Sequence, residues 1–484
     1  MIKFLRVIPF AILATIGCLQ LFSLWTIYRA GDFGFYDIGL INDWMTNALR
    51  GNPFFVTNTQ FNHLTYNFTP SLLLFTPLWF WDNQFVLVIL TIVCFYTGTF
   101  LILREMQRIF ELLVPPLMLS LLMVTLILCI TENRFTRYVL MYPHFEVIFT
   151  LPGGLLLLFM NRNGRMFRIL SVPIALFACG LRQDAGFYLV FLLIASASVI
   201  PVPAKVMLER VWLPLAIAIA ATVMAASGGT PYLSPDAAGL RFWKHMGETP
   251  TDLIVYVLTH PGQIQATLKD SAFLDLNKSF GWLPLVHPAG WLANLSALPM
   301  YLARPDEYMA KRLLLLYNSA MILPAMLVAV FGAIRGGLIL TLALPRMSPS
   351  RLNGLQTLFT AAVCLLLIRP TVQDRPWLSA FRAQGDLFQP TFDAISRIRK
   401  ICKVDSISGD YYGITLVPNS LRRFVLPNVS NADLVLITDR LRYSPDHLDR
   451  AETLKSLRDY RVYSETDRLV ILIKQGIICE SGGH

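Results

Sequence analysis

The run VIPFAILATIGCLQLFSLWTIY, residues 7–28, decides the class of fold. It is long enough to cross a bilayer core of about 30 Å as a helix. It follows the basic segment MIKFLR and contains no A-x-A-type cleavage site, which favours a retained signal-anchor helix over a cleaved export signal. Lys3 and Arg6 then hold the N-terminus in the cytoplasm.

The composition extends this prediction to most of the chain. Of the 484 residues, 55% are hydrophobic and only 15% are charged, and the mean hydropathy is +0.54. Soluble domains have about 45–50% apolar and about 25% charged residues, so we predict a polytopic α-helical membrane protein with about 9–11 transmembrane helices. Further apolar runs lie at 84–103, 112–130, 145–160, 167–181, 185–200, 211–227, 313–334 and 355–369.

The formal net charge of +10 is explained by membrane topology. Lys and Arg cluster in short loops between apolar runs, as expected for cytoplasmic loops that face anionic membrane lipids, and this argues against nucleic acid as a partner. We therefore predict a multi-pass inner (plasma) membrane protein whose transmembrane domain covers residues 1–370. Its main outer loops are 29–69 and 228–312.

Residues 371–484 are polar and predict a small extracytoplasmic α/β domain. TFDAISRIRKI (391–401) indicates an amphipathic helix and ADLVLITD (432–439) a buried strand. Residues 444–460 indicate a helix capped by Ser444 with Pro445 at its first position, and residues 461–474 a hairpin turning at Thr466–Asp467. Cys402 and Cys479 could pair if this domain lies outside the cytoplasm.

Two apolar segments are too broken for full spans. Residues 69–81 are short and contain two prolines, and residues 282–302 are interrupted by three prolines and a glycine. We interpret both as interfacial or re-entrant elements on the outer face, where surrounding protein shelters their backbone.

Ionisable residues collect in the predicted outer loops and at the ends of membrane helices. Such groups are costly at membrane depth and favour a functional role. Asp37 and Asp43, in DFGFYDIGLINDW (32–44), are the candidate catalytic residues, and the apolar and aromatic neighbours of Asp37 would raise the pKa of its carboxyl group. The candidate substrate-binding residues are His63, Asn67, Arg134, Arg137, His144, Glu146, Arg182 and Asp184.

Structural roles compete with function at each of these positions. Arg182 could simply neutralise Asp184 or Glu146, and His63 could be an interfacial histidine. No HExxH motif or Cys/His cluster with zinc spacing is present, which argues against a tight transition-metal site. Carboxylates meeting at an outer cavity could hold Mg²⁺ or Mn²⁺ beside a phosphate.

Several segments, in their order and spacing along nearly the whole chain, resemble the DUF2079 group of predicted bacterial membrane proteins, which are similar to GT-C glycosyltransferases. These segments are FYDIGLINDW, RGNPFF, NFTPSLLLFTPLW, YPHFEVIFTLP, LRQDAGFYL, GWLPLVHPAGWLANLSALP, LLLLYNSAMILPAML and PNVSNADLVLITD.

The chain departs from the family pattern at several positions. Asn42 stands where the family has a second acid, which is displaced here to Asp43. Asn67 replaces a histidine, and His63 lies four residues upstream. Arg182-Gln183-Asp184 replaces Lys-Glu-Asp, and the spacing of His144 and Glu146 is altered. Asp37 fits the pattern best.

The resemblance implies a membrane glycosyltransferase of inverting GT-C type. Such an enzyme moves a sugar from a polyprenyl-phosphate donor to a lipid, glycan or protein acceptor at the outer face. In that case an acid of the first outer loop, Asp37, acts as general base on the acceptor hydroxyl. Arg182, with Arg134 or Arg137, binds the departing phosphate.

Two readings from other classes remain open. A transporter or flippase of a lipid-linked intermediate would also use intramembrane charges and broken helices, although no matched pair of broken segments in two halves is apparent. A non-catalytic scaffold that binds an envelope partner through its C-terminal domain would not need the acids of the outer face.

Overall fold

The computed structural model of the chain describes residues 2–34, 38–58, 60–65, 67–141, 143–227, 243, 245–270, 272–302, 317–343, 349–373, 386–443 and 448–479. The chain divides into two compact units. The first, here the helical unit, comprises Met1–Cys18, Tyr66–Ser71 and Thr91–Arg375. The second, here the sheet unit, comprises Leu19–Thr65, Leu72–Leu90 and Pro376–His484. The predicted C-terminal domain therefore shares its unit with segments from the first ninety residues.

Within the described residues, the predicted apolar runs lie mainly in helices. The α-helices are α1 (Ile2–Arg29), α2 (Leu40–Leu49), α3 (Val86–Phe110), α4 (Pro116–Thr131), α5 (Arg134–Met141), α6 (Thr150–Met160), α7 (Arg165–Cys179), α8 (Ala185–Val199), α9 (Ala204–Ala226), α10 (Pro250–Thr259), α11 (Pro261–Asp270), α12 (Phe273–Ser279), α13 (Pro288–Leu302), α14 (Leu323–Leu342), α15 (Pro349–Gln373), α16 (Phe388–Ile401) and α17 (Arg450–Ser456).

These helices confirm a multi-pass membrane protein with a small C-terminal sheet domain. Among the described residues, five helices are long and apolar enough to span a bilayer, and the pair α4–α5, bent by 53°, would make a sixth. This count is below the predicted 9–11 because several apolar runs form short or interrupted helices. Residues 145–160, for example, are a 3₁₀ helix, Phe145–Phe149, followed by α6.

Small residues let two helices of the helical unit approach closely. A Cβ atom on Gly98 in α3 would lie 2.2 Å from the Thr150 carbonyl oxygen, and one on Gly154 in α6 would lie 2.6 Å from the Gly98 carbonyl oxygen. Glycines of this kind are typical of helix contacts in membranes, where van der Waals packing replaces the hydrophobic effect. A side chain at either position would force α3 and α6 apart.

The two broken segments are indeed irregular. Residues Pro70–Phe80 form a 3₁₀ helix. Residues 282–302 form a 3₁₀ turn, Leu283–Val286, followed by α13. Gly290 allows α13 to fold back onto this turn, because a Cβ atom there would overlap the Pro284 carbonyl. Their location at the outer face stays a prediction.

The sheet unit contains a mixed five-stranded sheet of order β4-β3-β5-β7-β6. Its strands are β3 (Ser406–Gly409), β4 (Arg422–Val425), β5 (Leu434–Thr438), β6 (Tyr460–Glu465) and β7 (Leu469–Lys474). β3 is parallel to β4 and β5, whereas β7 is antiparallel to β5 and β6. The same unit holds a short hairpin from the predicted first outer loop, β1 (Phe55–Val56) with β2 (Phe61–Asn62).

The predicted elements of the C-terminal domain are largely confirmed. Helix α16, strand β5 and the β6–β7 hairpin lie where the sequence patterns place them. The predicted helix 444–460 is shorter: α17 runs from Arg450 to Ser456, and the Asp449 side chain caps it by accepting from the Glu452 amide. Ser444 and Pro445 lie outside the described residues.

Cys402 and Cys479 form a disulfide that joins the end of α16 to the segment after β7. The bridge closes a loop across a sequence separation of 77 residues. In the chain-entropy account, a loop of this length stabilises the fold by about 4 kcal/mol by restricting the unfolded state. The remaining cysteines are free: Cys18, Cys94, Cys129, Cys179 and Cys364.

Candidate functional site

The predicted site residues fall in both compact units, apart from Asp37, which lies outside the described residues. Asn67, Arg134, Arg137, His144, Glu146, Arg182 and Asp184 belong to the helical unit. Asp43 and His63 belong to the sheet unit.

In the helical unit, Arg182 is the centre of a buried charge cluster. Its Nη1 donates to Glu146 Oε1 at 2.8 Å, while Nε and Nη2 donate to the two carboxylate oxygens of Asp184 at 2.5 and 2.7 Å. The side chains of Arg182 and Glu146 are 7% and 1% exposed. The guanidinium carbon also lies 5.9 Å from the centre of the Tyr188 ring. Three of the five guanidinium N–H groups are thus committed to carboxylates.

His144 extends this cluster from the other side of Glu146. Its Nδ1 forms a close hydrogen bond with Glu146 Oε2. A carboxylate held by a guanidinium is ionised and can only accept, so the proton of this bond belongs to Nδ1 and a neutral His144 carries its lone pair on Nε2. A carboxylate that fixes the histidine tautomer in this way is the arrangement found where histidine transfers protons. We refer to His144, Glu146, Arg182 and Asp184 as the Arg182 cluster.

The start of the NFTP segment lies against the loop that carries Arg182. The Phe68 amide donates to Gln183 Oε1 at 3.2 Å, and the Ser71 amide donates to the Gly180 carbonyl at 3.0 Å. A Cβ atom on Gly180 would lie 2.2 Å from Ser71 Oγ, so this approach requires glycine. Asn67 is next to Phe68, and three segments predicted to form the site are therefore brought together within the helical unit.

Arg134 and Arg137 lie on α5, which follows the bend after α4. The opposite face of this short helix is apolar and buried through Phe135, Val139 and Leu140. Both arginine side chains are half-buried. This places two further cations in the helical unit.

In the sheet unit, Asp43 is paired with a residue that the sequence analysis missed. Asp43 and Arg423 are 1% and 0% exposed, and their Oδ1 and Nη2 atoms lie 3.7 Å apart. Thr57 donates to Asp43 twice, from its amide at 2.6 Å and from its hydroxyl at 3.1 Å. Arg423 also donates to Asn419 Oδ1 at 2.8 Å. Burial raises the pKa of Asp43, against the opposing effect of the Arg423 charge and the Thr57 hydrogen bonds.

Asn42 and His63 are likewise buried and contact neighbouring side chains. The Asn42 amide donates to the Ile38 and Gln84 carbonyls, and its oxygen accepts from Trp79 Nε1 at 2.7 Å. Replacing the acid of the family pattern by this amide lets one side chain both donate and accept. His63 stacks on Trp44 with ring centres 5.3 Å apart. These contacts favour a structural role for Asn42 and His63, and the same holds for Asp43.

The sequence gives only a weak indication that the Arg423 side chain is buried. It lies in the strand Arg422–Val425, where alternation directs Arg422 outward and Arg423 inward. Nothing in the sequence links this position to Asp43, because the two are far apart along the chain. Within the described part of the chain, no group of three or more His, Cys, Asp or Glu residues could hold a metal ion.

Comparison with known proteins gives a limited result. No protein-family model matches the chain, so the likeness to the DUF2079 group stays a resemblance, and no curated protein matches either. Among solved structures, the chain is similar to the crystal structure of ArnT from Cupriavidus metallidurans bound to undecaprenyl phosphate. The TM-score is 0.48 at 9% sequence identity, over 96% of this chain and 97% of that chain. At these values the likeness carries no functional information.

The Arg182 cluster predicts a graded response to substitution. Arg182→Gln leaves two carboxylates without their cation, and breaking a buried ion pair costs about 3–5 kcal/mol. We expect a large loss of thermal stability of the purified protein, measured by scanning fluorimetry in detergent. Arg182→Lys, which retains the charge but not the planar fork, should lose less. Equal stability of Arg182→Gln and wild type would contradict the burial of this cluster.

The Asp43–Arg423 pair can be tested by a double-mutant cycle. Asp43→Asn leaves the Arg423 charge buried without an anion, and we expect a lower free energy of unfolding by about 3–5 kcal/mol. Adding Arg423→Met should recover part of this loss, because no charge then remains buried. Asp459→Asn, at an exposed acid of the same unit, is the control and should be neutral. Additive losses in the double variant would show that the two charges are not coupled.

Proposed function

We propose that the chain is a membrane glycosyltransferase that moves a sugar from a polyprenyl-phosphate donor to a hydroxyl group of a lipid, glycan or protein acceptor. The observation that carries the proposal is the Arg182 cluster. It assembles residues 144–146 and 182–184 beside the 67–71 segment, at the ends of apolar helices. These are three of the segments on which the family resemblance depends. A buried network of this kind in a membrane protein favours a substrate site over a purely structural contact.

In this proposal, the chemistry is an inverting displacement at the anomeric carbon. The acceptor hydroxyl gives its proton to the Asp37 carboxylate while its oxygen attacks the anomeric carbon. The bond between that carbon and the phosphate oxygen breaks, and the electron pair leaves with the polyprenyl phosphate. Asp37 is the residue of the first outer loop that best fits the general base of the family pattern.

The Arg182 cluster has a positioning and binding role in this scheme. The charge of Arg182 is already offset by Glu146 and Asp184, so it fixes these acids more effectively than it attracts a phosphate. The Asp184 side chain is 37% exposed, which leaves it accessible as an acceptor for sugar hydroxyls. Arg134 and Arg137, two half-buried arginines of α5, are assigned to the departing phosphate.

We further propose that the C-terminal domain lies outside the cytoplasm. The Cys402–Cys479 disulfide supports this orientation, because stable disulfides form in oxidising compartments. The cytoplasmic N-terminus inferred from Lys3 and Arg6 is consistent with it.

The proposed role of Asp37 as general base is tested by mass spectrometry of envelope glycolipids and glycans. Cells that lack the protein are complemented with wild type, Asp37→Asn or Asp275→Asn at equal membrane abundance. Asp275 is an exposed acid at the start of α12 and serves as the matched control. We expect one glycan species to lose a sugar mass in the deletion, and only Asp37→Asn to fail to restore it. Full restoration by Asp37→Asn would exclude Asp37 as the base and favour a transporter or a scaffold.

The orientation is tested with a variant that keeps only Cys402 and Cys479. Spheroplasts are treated with a membrane-impermeant maleimide polymer before and after reduction. We expect no labelling before reduction and labelling of intact spheroplasts after it, at Cys479 because the Cys402 side chain is buried. Labelling without a reductant would show that the disulfide is absent, and labelling only after membrane lysis would place the domain inside.

A further inference from the structure

The sheet unit contains an open pocket. Its volume is ≈ 520 Å³, within the usual range of small-molecule sites. The β1 end of the first outer loop and strand β4 form its walls. Its described lining consists of Asn47, Arg50, Asn52, Phe55, Thr57, Gln60, Arg422, Phe424 and Asn431.

Two guanidinium groups give this pocket its charge. Arg50 and Arg422 both line it, and its described lining contains no carboxylate. Burial lowers the pKa of Arg50, and the nearby charge of Arg422 lowers it further, while Asp43, Asp405 and Asp82 act in the opposite direction. Two cations that repel each other at the wall of an open pocket are stabilised by an anion placed between them.

The two arginines are held differently. Arg50 donates to the Ser420 carbonyl and, at 3.4 Å, to Asn47 Oδ1. The Arg422 side chain makes no hydrogen bond or ion pair with another described residue. Arg50 is thus positioned in advance, whereas the planar fork of Arg422 remains available to a ligand.

The floor of the pocket is rigid. Asn47 Nδ2 donates to the Phe55 carbonyl at 2.8 Å and to Thr57 Oγ1 at 2.9 Å. Thr57 is in turn fixed by its two hydrogen bonds to Asp43. The buried Asp43–Arg423 pair therefore supports the pocket from beneath, because alternation along β4 directs Arg423 to that pair and Arg422 to the pocket.

The remaining lining groups match a sugar ring. Asn52 and Asn431 are exposed and supply amide donors and acceptors for hydroxyl groups. Phe55 is half-buried and supplies an apolar ring against which the C–H face of a pyranose can pack, while the buried Phe424 backs the wall of the pocket. An inorganic anion alone would contact the two arginines but not the Phe55 ring or the amide groups of Asn52 and Asn431.

We infer that this pocket binds an anionic saccharide unit, a sugar ring that carries a carboxylate or a phosphate, through Arg50 and Arg422. The identification of this unit as part of the acceptor rests on the proposed glycosyltransferase function, whereas the binding itself does not.

The test measures equilibrium binding to the full-length protein in phosphatidylcholine nanodiscs, with no donor present. Glucuronic acid, glucose 6-phosphate and glucose are titrated calorimetrically. We expect both anions, or one of them, to bind at least 10-fold more tightly than glucose. Binding of only one anion identifies the ligand group as carboxylate or phosphate. Equal binding of all three probes, or no binding by any of them, would overturn the inference.

Matched variants test whether the anionic sugar binds in this pocket. Arg422→Gln should weaken anion binding by about 10-fold or more, as expected for loss of a charge-assisted fork. Arg461→Gln, at an exposed arginine of β6 in the same sheet, should change it less than twofold. Asn52→Asp, which adds a negative charge at the rim, should weaken binding of the anions but not of glucose. Unchanged anion binding in both Arg422→Gln and Asn52→Asp would overturn the assignment.

The result is independent of catalysis. Asp37→Asn should bind the anionic sugar as wild type does, so a failure of the glycan complementation experiment leaves the pocket intact as a binding site. Conversely, restored glycans with a variant that does not bind the probes would separate this pocket from the transfer reaction.

Discussion

The structure depends on neutralising charges where water cannot reach them. Transferring an isolated guanidinium or carboxylate into an apolar surrounding is very unfavourable, so a buried charged group needs a partner of opposite charge. Arg182 satisfies this constraint with two carboxylates at 2.5–2.8 Å. Arg423 satisfies it with Asp43 and the polar groups around it. Each set of charges joins segments that are distant in sequence, and each lies beside residues that we assign to a proposed site.

The two pairs differ in what they leave accessible. Glu146 and Arg182 are almost fully buried, but Asp184 and His144 are 37% and 12% exposed at the side chain. In the proposed function, the Arg182 cluster would therefore contact a substrate through these two outer members. Asp43 and Arg423 have no accessible member, and their influence reaches a ligand only through Thr57, Asn47 and the neighbouring Arg422. The first arrangement favours contact with substrate, and the second favours support.

Some features of the structure could be predicted from the sequence, and others could not. Hydrophobic runs and patterning located the helices and the elements of the C-terminal domain, because burial and periodicity are local properties. The pairing of Arg182 with Glu146 or Asp184 was foreseen as one alternative because the charges were few. Asp43 with Arg423 was not, since a single arginine in a strand carries no record of its partner. The predicted number of spans exceeded the number of helices that are long enough, because apolar runs do not reveal their internal breaks.

The sheet unit combines segments from the start and the end of the chain, and it can therefore be completed only when synthesis is almost finished. Thr46, which contacts the Arg423 side chain, precedes it by 377 residues. At about 5–20 residues per second, ribosomes need about 20–80 s to synthesise that interval. During this time strand β4 does not yet exist, and Asp43 lacks Arg423 as a partner. The strands made last therefore complete a unit whose first segments are made at the start of the chain.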